Sequence, residues 1–291
     1  MIIRDDDGDV IRSFDGTLLA TRSTGEGAAL PLLVCNAVGA NLAPWRKALV
    51  DVERDRTILS WDMRGLLGSG HPASDRLDPG AHAEDAVAVL DHYDADRVVL
   101  ASWSNGSRVA LELATRYPER VAALVIVCGG YGWSLRRTFR NLDLFAAVPT
   151  IAGVAKHFGA SLQAPLRALV ARPEMAGLIR QTGAVAATAD TLLLLELLRG
   201  IAENDLSTLL ATFEAVAGDP APELGASVEA PALLVAGEKD PFTQIQLVAE
   251  LAESIPDSRM LVYERATHYL PIEYPGRLSD DMRKFFAEVG V

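Results

Sequence analysis

Arg97-Val98-Val99-Leu100-Ala101-Ser102-Trp103-Ser104-Asn105-Gly106-Ser107-Arg108 is the stretch that decides the fold. Residues 98–101 form a short continuous apolar run, the pattern of a parallel strand covered on both faces. Residues 109–115, Val-Ala-Leu-Glu-Leu-Ala-Thr, continue as a helix with few breakers. Between the two the chain turns sharply, and Ser104 sits at the apex. Ser102 and Gly106, two positions before and after it, are small, as a turn needs where strand and helix nearly touch.

Working outward, strand-like and helix-like segments alternate. Residues 30–35, 57–61, 121–128, 231–237 and 259–263 read as strands. Residues 45–51 lie in a short helix and 81–93 in an amphipathic one. Residues 10–21 read as a hairpin around Asp15-Gly16. This alternation implies right-handed crossovers and a mostly parallel sheet with helices on both faces, an α/β fold. From residue 134 to 219 the strand signal vanishes. That stretch is rich in Leu and Ala at helical spacing, with breaks near Pro149, Pro165, Pro173 and Gly183. The expected organisation is a core of residues 1–133 and 220–291 with a helical insertion at 134–219.

A chain of 291 residues suits one enlarged domain. Its net charge of -12 argues against nucleic acid and anionic membrane surfaces as partners, and favours small neutral or cationic ligands. Cys35 and Cys128 both fall in apolar strand-like runs and read as buried free thiols, with neither a disulfide framework nor a metal site supported. Residues 191–198 are leucine-rich but contain Glu196 and are too short to span a bilayer. Met1-Ile2-Ile3-Arg4-Asp5-Asp6-Asp7 lacks the basic and apolar regions of a signal peptide, so a cytoplasmic location is expected. The sequence sets no oligomeric state.

A serine hydroxyl is a poor nucleophile at neutral pH and needs a base, itself oriented by a carboxylate. Of five histidines, only His268 follows the last predicted strand, in Ala266-Thr267-His268-Tyr269-Leu270-Pro271. His71, His82, His92 and His157 read as structural. Gly237-Glu238-Lys239-Asp240-Pro241-Phe242 directly follows the strand ending at Ala236, and open α/β sheets place their sites at such carboxyl ends. Asp240 and Glu238 on that loop are the candidate acids.

The turn at Ser104 resembles the Gly-x-Ser-x-Gly nucleophile elbow of the α/β-hydrolases, with Ser102 in place of the first glycine. Asp240 fits the family's acid position, with Glu238 on the same loop as the fallback, and the order Ser104, Asp240, His268 is that family's order. The resemblance runs from about residue 8 to the C-terminus. It implies an α/β-hydrolase fold, with the insertion at 134–219 as a helical cap. It also implies an oxyanion hole built from two backbone N–H groups. One is that of Asn105, at a helix start where the dipole favours negative charge. The other comes from Asn36-Ala37-Val38-Gly39-Ala40-Asn41. This loop departs from the family's usual His-Gly and is similar to the Asn-Ser-Leu-Gly loop of the 3-oxoadipate enol-lactonases; on that alignment Val38 is the donor.

Asp62-Met63-Arg64-Gly65-Leu66-Leu67-Gly68-Ser69 resembles the family's Asp-x-Arg-Gly-x-Gly-x-Ser loop with one glycine displaced, and an internal ion pair between Asp62 and Arg64 is expected. Trp103 and Trp133 are candidates for substrate contact or for packing.

The implied reaction is hydrolysis of a small carboxylic ester or lactone through an acyl-enzyme, with no metal or organic cofactor. Enol-lactone opening, carbon–carbon bond hydrolysis, acyl transfer and cofactor-free perhydrolysis on the same site stay open. So does a non-catalytic ligand-binding protein that kept the residues. Serine at the elbow argues against haloalkane dehalogenase and epoxide hydrolase chemistry, which resembles this fold but uses aspartate there. The insertion is dominated by Leu, Ala and Val, with Phe139, Phe145 and Phe158 near its start, so an apolar pocket is expected. Arg136, Arg137 and Arg140 read as solvated surface charges, which predicts a preference for neutral substrates.

Overall fold

The computed structural model describes residues 8–130, 161, 163–218, 221 and 223–291. Seven strands form one sheet: β1 Val10–Arg12, β2 Leu18–Cys35, β3 Arg56–Trp61, β4 Val98–Trp103, β5 Val121–Val127, β6 Ala232–Gly237 and β7 Ser258–Tyr263. The end of β2 pairs parallel with β4, and β4, β5, β6 and β7 follow in parallel order. The hairpin is present, with β1 antiparallel to the start of β2 and Gly16 at φ 89° in its turn.

The sequence marks residues 30–35 as a separate strand, but β2 runs unbroken from Leu18 to Cys35. It folds around β3. Thr21 to Thr24 pair antiparallel with Trp61 to Ile58; after a run of register shifts, Leu32, Leu33 and Val34 pair with Ile58, Leu59 and Ser60 in rising order. Gly27 makes this possible. A Cβ there would lie 1.9 Å from the Asp55 carbonyl carbon, so only glycine lets the chain pass the start of β3.

Alternation along the strands feeds two cores. On one face Leu33, Leu59, Leu100, Leu124 and Leu234 pack with α2 (Pro79–His92) and α3 (Gly106–Arg116). On the other, Val34, Ala101, Val125 and Val235 pack with Trp45, with Leu49 of α1 (Arg46–Leu49) and with the apolar side of the closing helix, residues Pro275–Val289, through Leu278, Met282 and Phe286. Between β5 and β6 the described chain is helical. Residues 163–170 are followed by α4 (Glu174–Gln181), α5 (Thr191–Glu203) and α6 (Leu206–Ala217). Asp190 and Asp205 cap α5 and α6 through their first backbone N–H groups. A small cluster of Ala176, Val185, Leu193 and Leu194 closes on Ile272, seating this insertion over the segment that follows His268. Among the described residues no helix is long and apolar enough to cross a membrane.

Candidate active site

Ser104 is the first residue past β4 and adopts φ 57°, a left-handed conformation that is uncommon for a residue with a side chain. The turn is over-determined. Ser104 donates its N–H to the Val127 carbonyl at 3.0 Å, and the Ser107 hydroxyl donates to the Ser104 carbonyl at 2.7 Å. Gly106 is obligatory, because a Cβ would lie 2.3 Å from the Cys35 carbonyl oxygen. The hydroxyl therefore stands at the carboxyl edge of the sheet on a rigid mount.

His268 lies on the loop after β7, 7% exposed. Its Nε2 is 2.7 Å from Ser104 Oγ, and its Nδ1 is 2.8 Å from Asp240 Oδ2. Asp240 follows β6, and its other oxygen accepts the N–H groups of Phe242 (2.7 Å) and Thr243 (2.8 Å). The carboxylate thus has fixed partners on both oxygens, which requires Nδ1–H toward Asp240 and leaves the Nε2 lone pair for the serine proton. Glu238, the fallback acid, is exposed and accepts the Arg265 N–H at 2.7 Å, outside this relay.

The described part of the site shows more than the sequence suggested. Thr267, next to His268, donates its N–H (2.8 Å) and hydroxyl (2.5 Å) to the buried Glu273 carboxylate. That carboxylate also accepts the Ala186 N–H of the insertion at 2.8 Å. Asn204, at the end of α5 and 3% exposed, donates to the Gly39 carbonyl at 3.1 Å and accepts the Leu67 N–H at 2.9 Å. One insertion residue thereby ties together the loop of Val38 and Gly39 and the loop that follows β3. Sequence reasoning missed both, since a lone Glu and a lone Asn carry no spacing signal.

Four expectations are corrected or qualified. Asp62 and Arg64 do not pair with each other. Asp62 takes Arg22 at 2.9 Å, while Arg64 binds Asp85 through two bonds of 2.8 and 2.5 Å and Asp15 at 3.0 Å. The two side chains stabilise the same loop from separate partners. Trp103 is 2% exposed and donates its indole N–H to the His268 carbonyl at 2.8 Å, so it buttresses the histidine loop and offers substrate no surface. The Val38 N–H donates to the Asn105 side-chain oxygen at 2.9 Å and so already has an acceptor. Trp133, Arg136, Arg137, Arg140, Phe139, Phe145, Phe158 and His157 lie outside the described residues.

Of the other histidines, His82 is fully buried and His92 bonds Asp9 at 2.9 Å at the surface. Both cysteines are buried and free. Burial pushes the Cys35 thiol up to about 12, and burial beside Asp240 raises that of Cys128 well above its usual value, so neither is a nucleophile. Cys128, Asp240 and His268 bring donor atoms within 4.8 Å of one another. The carboxylate and imidazole are committed to each other, however, and the thiol is held protonated, a poor start for metal binding.

The chain is 30% identical over 146 residues to a 2-hydroxymuconate semialdehyde hydrolase of Pseudomonas sp. strain CF600, a match covering 44% of this chain and 52% of that protein. It is 25% identical to 3-oxoadipate enol-lactonase 2 of Acinetobacter baylyi over 86% of each chain. The crystal structure of the enol-lactonase from Burkholderia xenovorans LB400 superposes with a TM-score of 0.77 at 20% identity, covering 96% of this chain and all of that one. The model of the α/β hydrolase fold family matches residues 31–275, and the chain belongs to that family.

Proposed function

We propose that this protein is a serine hydrolase that cleaves a small carboxylic ester or lactone through an acyl-enzyme, with Ser104, His268 and Asp240 as its triad. The observation that carries this reading is the unbroken relay from Ser104 Oγ to Asp240, two links of 2.7 and 2.8 Å, on a serine mounted in an elbow. In the first half-reaction His268 Nε2 takes the Ser104 proton as Oγ attacks the carbonyl carbon. The same nitrogen then protonates the leaving alkoxide, and Asp240 stabilises the imidazolium throughout. Water, deprotonated by His268, attacks the acyl-enzyme; collapse expels Ser104 Oγ, which recovers its proton, and the acid is released. The tetrahedral oxygen is held by the Asn105 N–H, at the start of α3, and by the Val38 N–H. The helical insertion acts as a cap over this pocket.

Carbon–carbon bond hydrolysis is the second reading, favoured by the Pseudomonas relative's name; it would use the same three residues. The test is labelling with a serine-directed phosphonate, located by peptide mass, followed by turnover assays on aryl esters, lactones and a vinylogous 1,5-diketone. A label on Ser104 with ester or lactone turnover supports the first reading. Turnover of the diketone alone transfers the assignment to the second, and absence of label and turnover refutes both.

A further inference from the structure

The hydrogen bond from Val38 N–H to the Asn105 side chain has a consequence for the site, and its interpretation rests on the oxyanion hole proposed above. A backbone N–H has one hydrogen and one direction. In this structure that hydrogen meets Asn105 Oδ1 at 2.9 Å, the distance at which an oxyanion-hole donor holds a tetrahedral oxygen. The acceptor is an amide carbonyl, chemically the nearest side-chain stand-in for an ester carbonyl. It is carried by the residue that follows the nucleophile and that supplies the hole's second N–H. Val38 itself is 8% exposed, so water has little access to replace that acceptor.

We propose that the Asn105 carboxamide is an internal cap on the oxyanion hole, which the substrate's carbonyl oxygen must displace from Val38 before attack by Ser104. Asn36, two residues ahead of Val38, is 3% exposed, and neither atom of its carboxamide has a hydrogen-bond partner among the described residues. Its backbone carbonyl oxygen lies 2.4 Å from where a Gly106 Cβ would be, so the loop that carries Val38 runs against the residue next to Asn105. Opening the cap breaks the single hydrogen bond to Val38, a modest cost that a good acceptor on the substrate replaces.

The test is kinetic. Asn105→Ala and the near-isosteric Asn105→Leu both remove the competing acceptor while keeping the backbone N–H. One net hydrogen bond sets the scale, so kcat/KM on a small aryl ester should rise about 2- to 10-fold. The inhibition constant of a trifluoromethyl ketone, whose hemiketal oxygen occupies the hole, should fall by the same factor. A role of Asn105 in simply holding the loop predicts the opposite, loss of kcat and weaker ketone binding in both variants, and that outcome or no change in either quantity overturns the cap. If the unaltered protein is neither labelled at Ser104 nor active, the hydrolase reading has failed. If it is labelled and active but the variants gain nothing, only the cap has failed.

Discussion

Glu273 accepts both the backbone N–H and the hydroxyl of Thr267, one residue before His268, at 2.8 and 2.5 Å. The carboxylate is 3% exposed and also holds Ala186 of the insertion. With the Trp103 indole donating to the His268 carbonyl, the histidine is clamped by hydrogen bonds on either side of its Cα. Glu273→Ala strips three donors, two of them buried, of their acceptor. It should destabilise the fold by about 2–4 kcal/mol, since each buried donor left unmade costs about 1–3 kcal/mol with partial relaxation. Because displacement of a catalytic group by about 1 Å costs on the order of 100-fold, kcat should fall well beyond the loss of folded protein. Urea unfolding and kcat, measured on the same samples, separate the two effects. A stable variant with unchanged kcat would show that Glu273 does not position His268.

The triad makes a sharper demand. Ser104→Ala and His268→Ala should each lower kcat by on the order of 10⁴ with the fold retained, and the double variant should be no worse than either single one, because the residues act as a unit. Asp240→Asn should be severe but milder than these. Glu238→Gln should be near neutral, as that side chain is exposed and bound to Arg265. If Ser104→Ala keeps more than a tenth of the activity, another residue is the nucleophile.

Acid stability tests the buried His82 of α2. Burial, reinforced by the Arg64 guanidinium, holds His82 down to about 3 from 6.5, against a weaker opposing pull from Asp78. The folded state therefore binds fewer protons at His82 than the unfolded chain between these two values. The stability from keeping it neutral is complete above about pH 6.5 and is lost progressively as pH falls toward 3. Asp15, held low despite its burial penalty by bonds from Ser74 and Thr17, adds to the acid loss. Asp85, pushed up by burial despite Arg64, works in the opposite sense. The comparison that isolates the histidine is His82→Leu. The unaltered protein should lose on the order of a few kcal/mol between pH 7 and 4.5 in urea unfolding, and the variant distinctly less. Equal losses in both would place the acid-labile group elsewhere.

Much of this site is readable in the sequence, for a physical reason. The elbow at Ser104 and the loops of Asp240 and His268 are local: each follows a strand-like run, buried throughout in β4 and β6 and partly exposed in β7, so chain order sets them on one sheet edge. What stays hidden depends on long-range partners. Asp62 and Arg64 look like a pair because they are two residues apart, yet each takes a partner far away in the chain, Arg22 and Asp85. The path of β2 around β3 depends on the room left by Gly27, and a glycine in sequence reads equally as a turn. Asn204 and Glu273 bridge segments far apart in the chain and carry no pattern. The role of the Asn105 side chain carries no local signal, because its partner, Val38, lies 67 residues away.

Substrate polarity is the last expectation, and it rests on chemistry at the start of the insertion. Enol-lactonases of the Asn-Ser-Leu-Gly type would need a cation for the free carboxylate of their substrate. Arg136, Arg137 and Arg140 supply three guanidiniums in five residues, and such a group binds carboxylate through a bidentate fork. Against this, the chain carries a net charge of -12, which disfavours the approach of an anionic substrate. The insertion's composition is that of an apolar lining. Neutral short- to medium-chain esters or lactones should therefore show higher kcat/KM than matched analogues bearing a carboxylate. Changing each arginine to alanine should alter that ratio by less than about twofold, the scale of a screened surface charge. If the carboxylate-bearing member wins and a single Arg→Ala change abolishes its advantage, an acidic lactone is the better assignment.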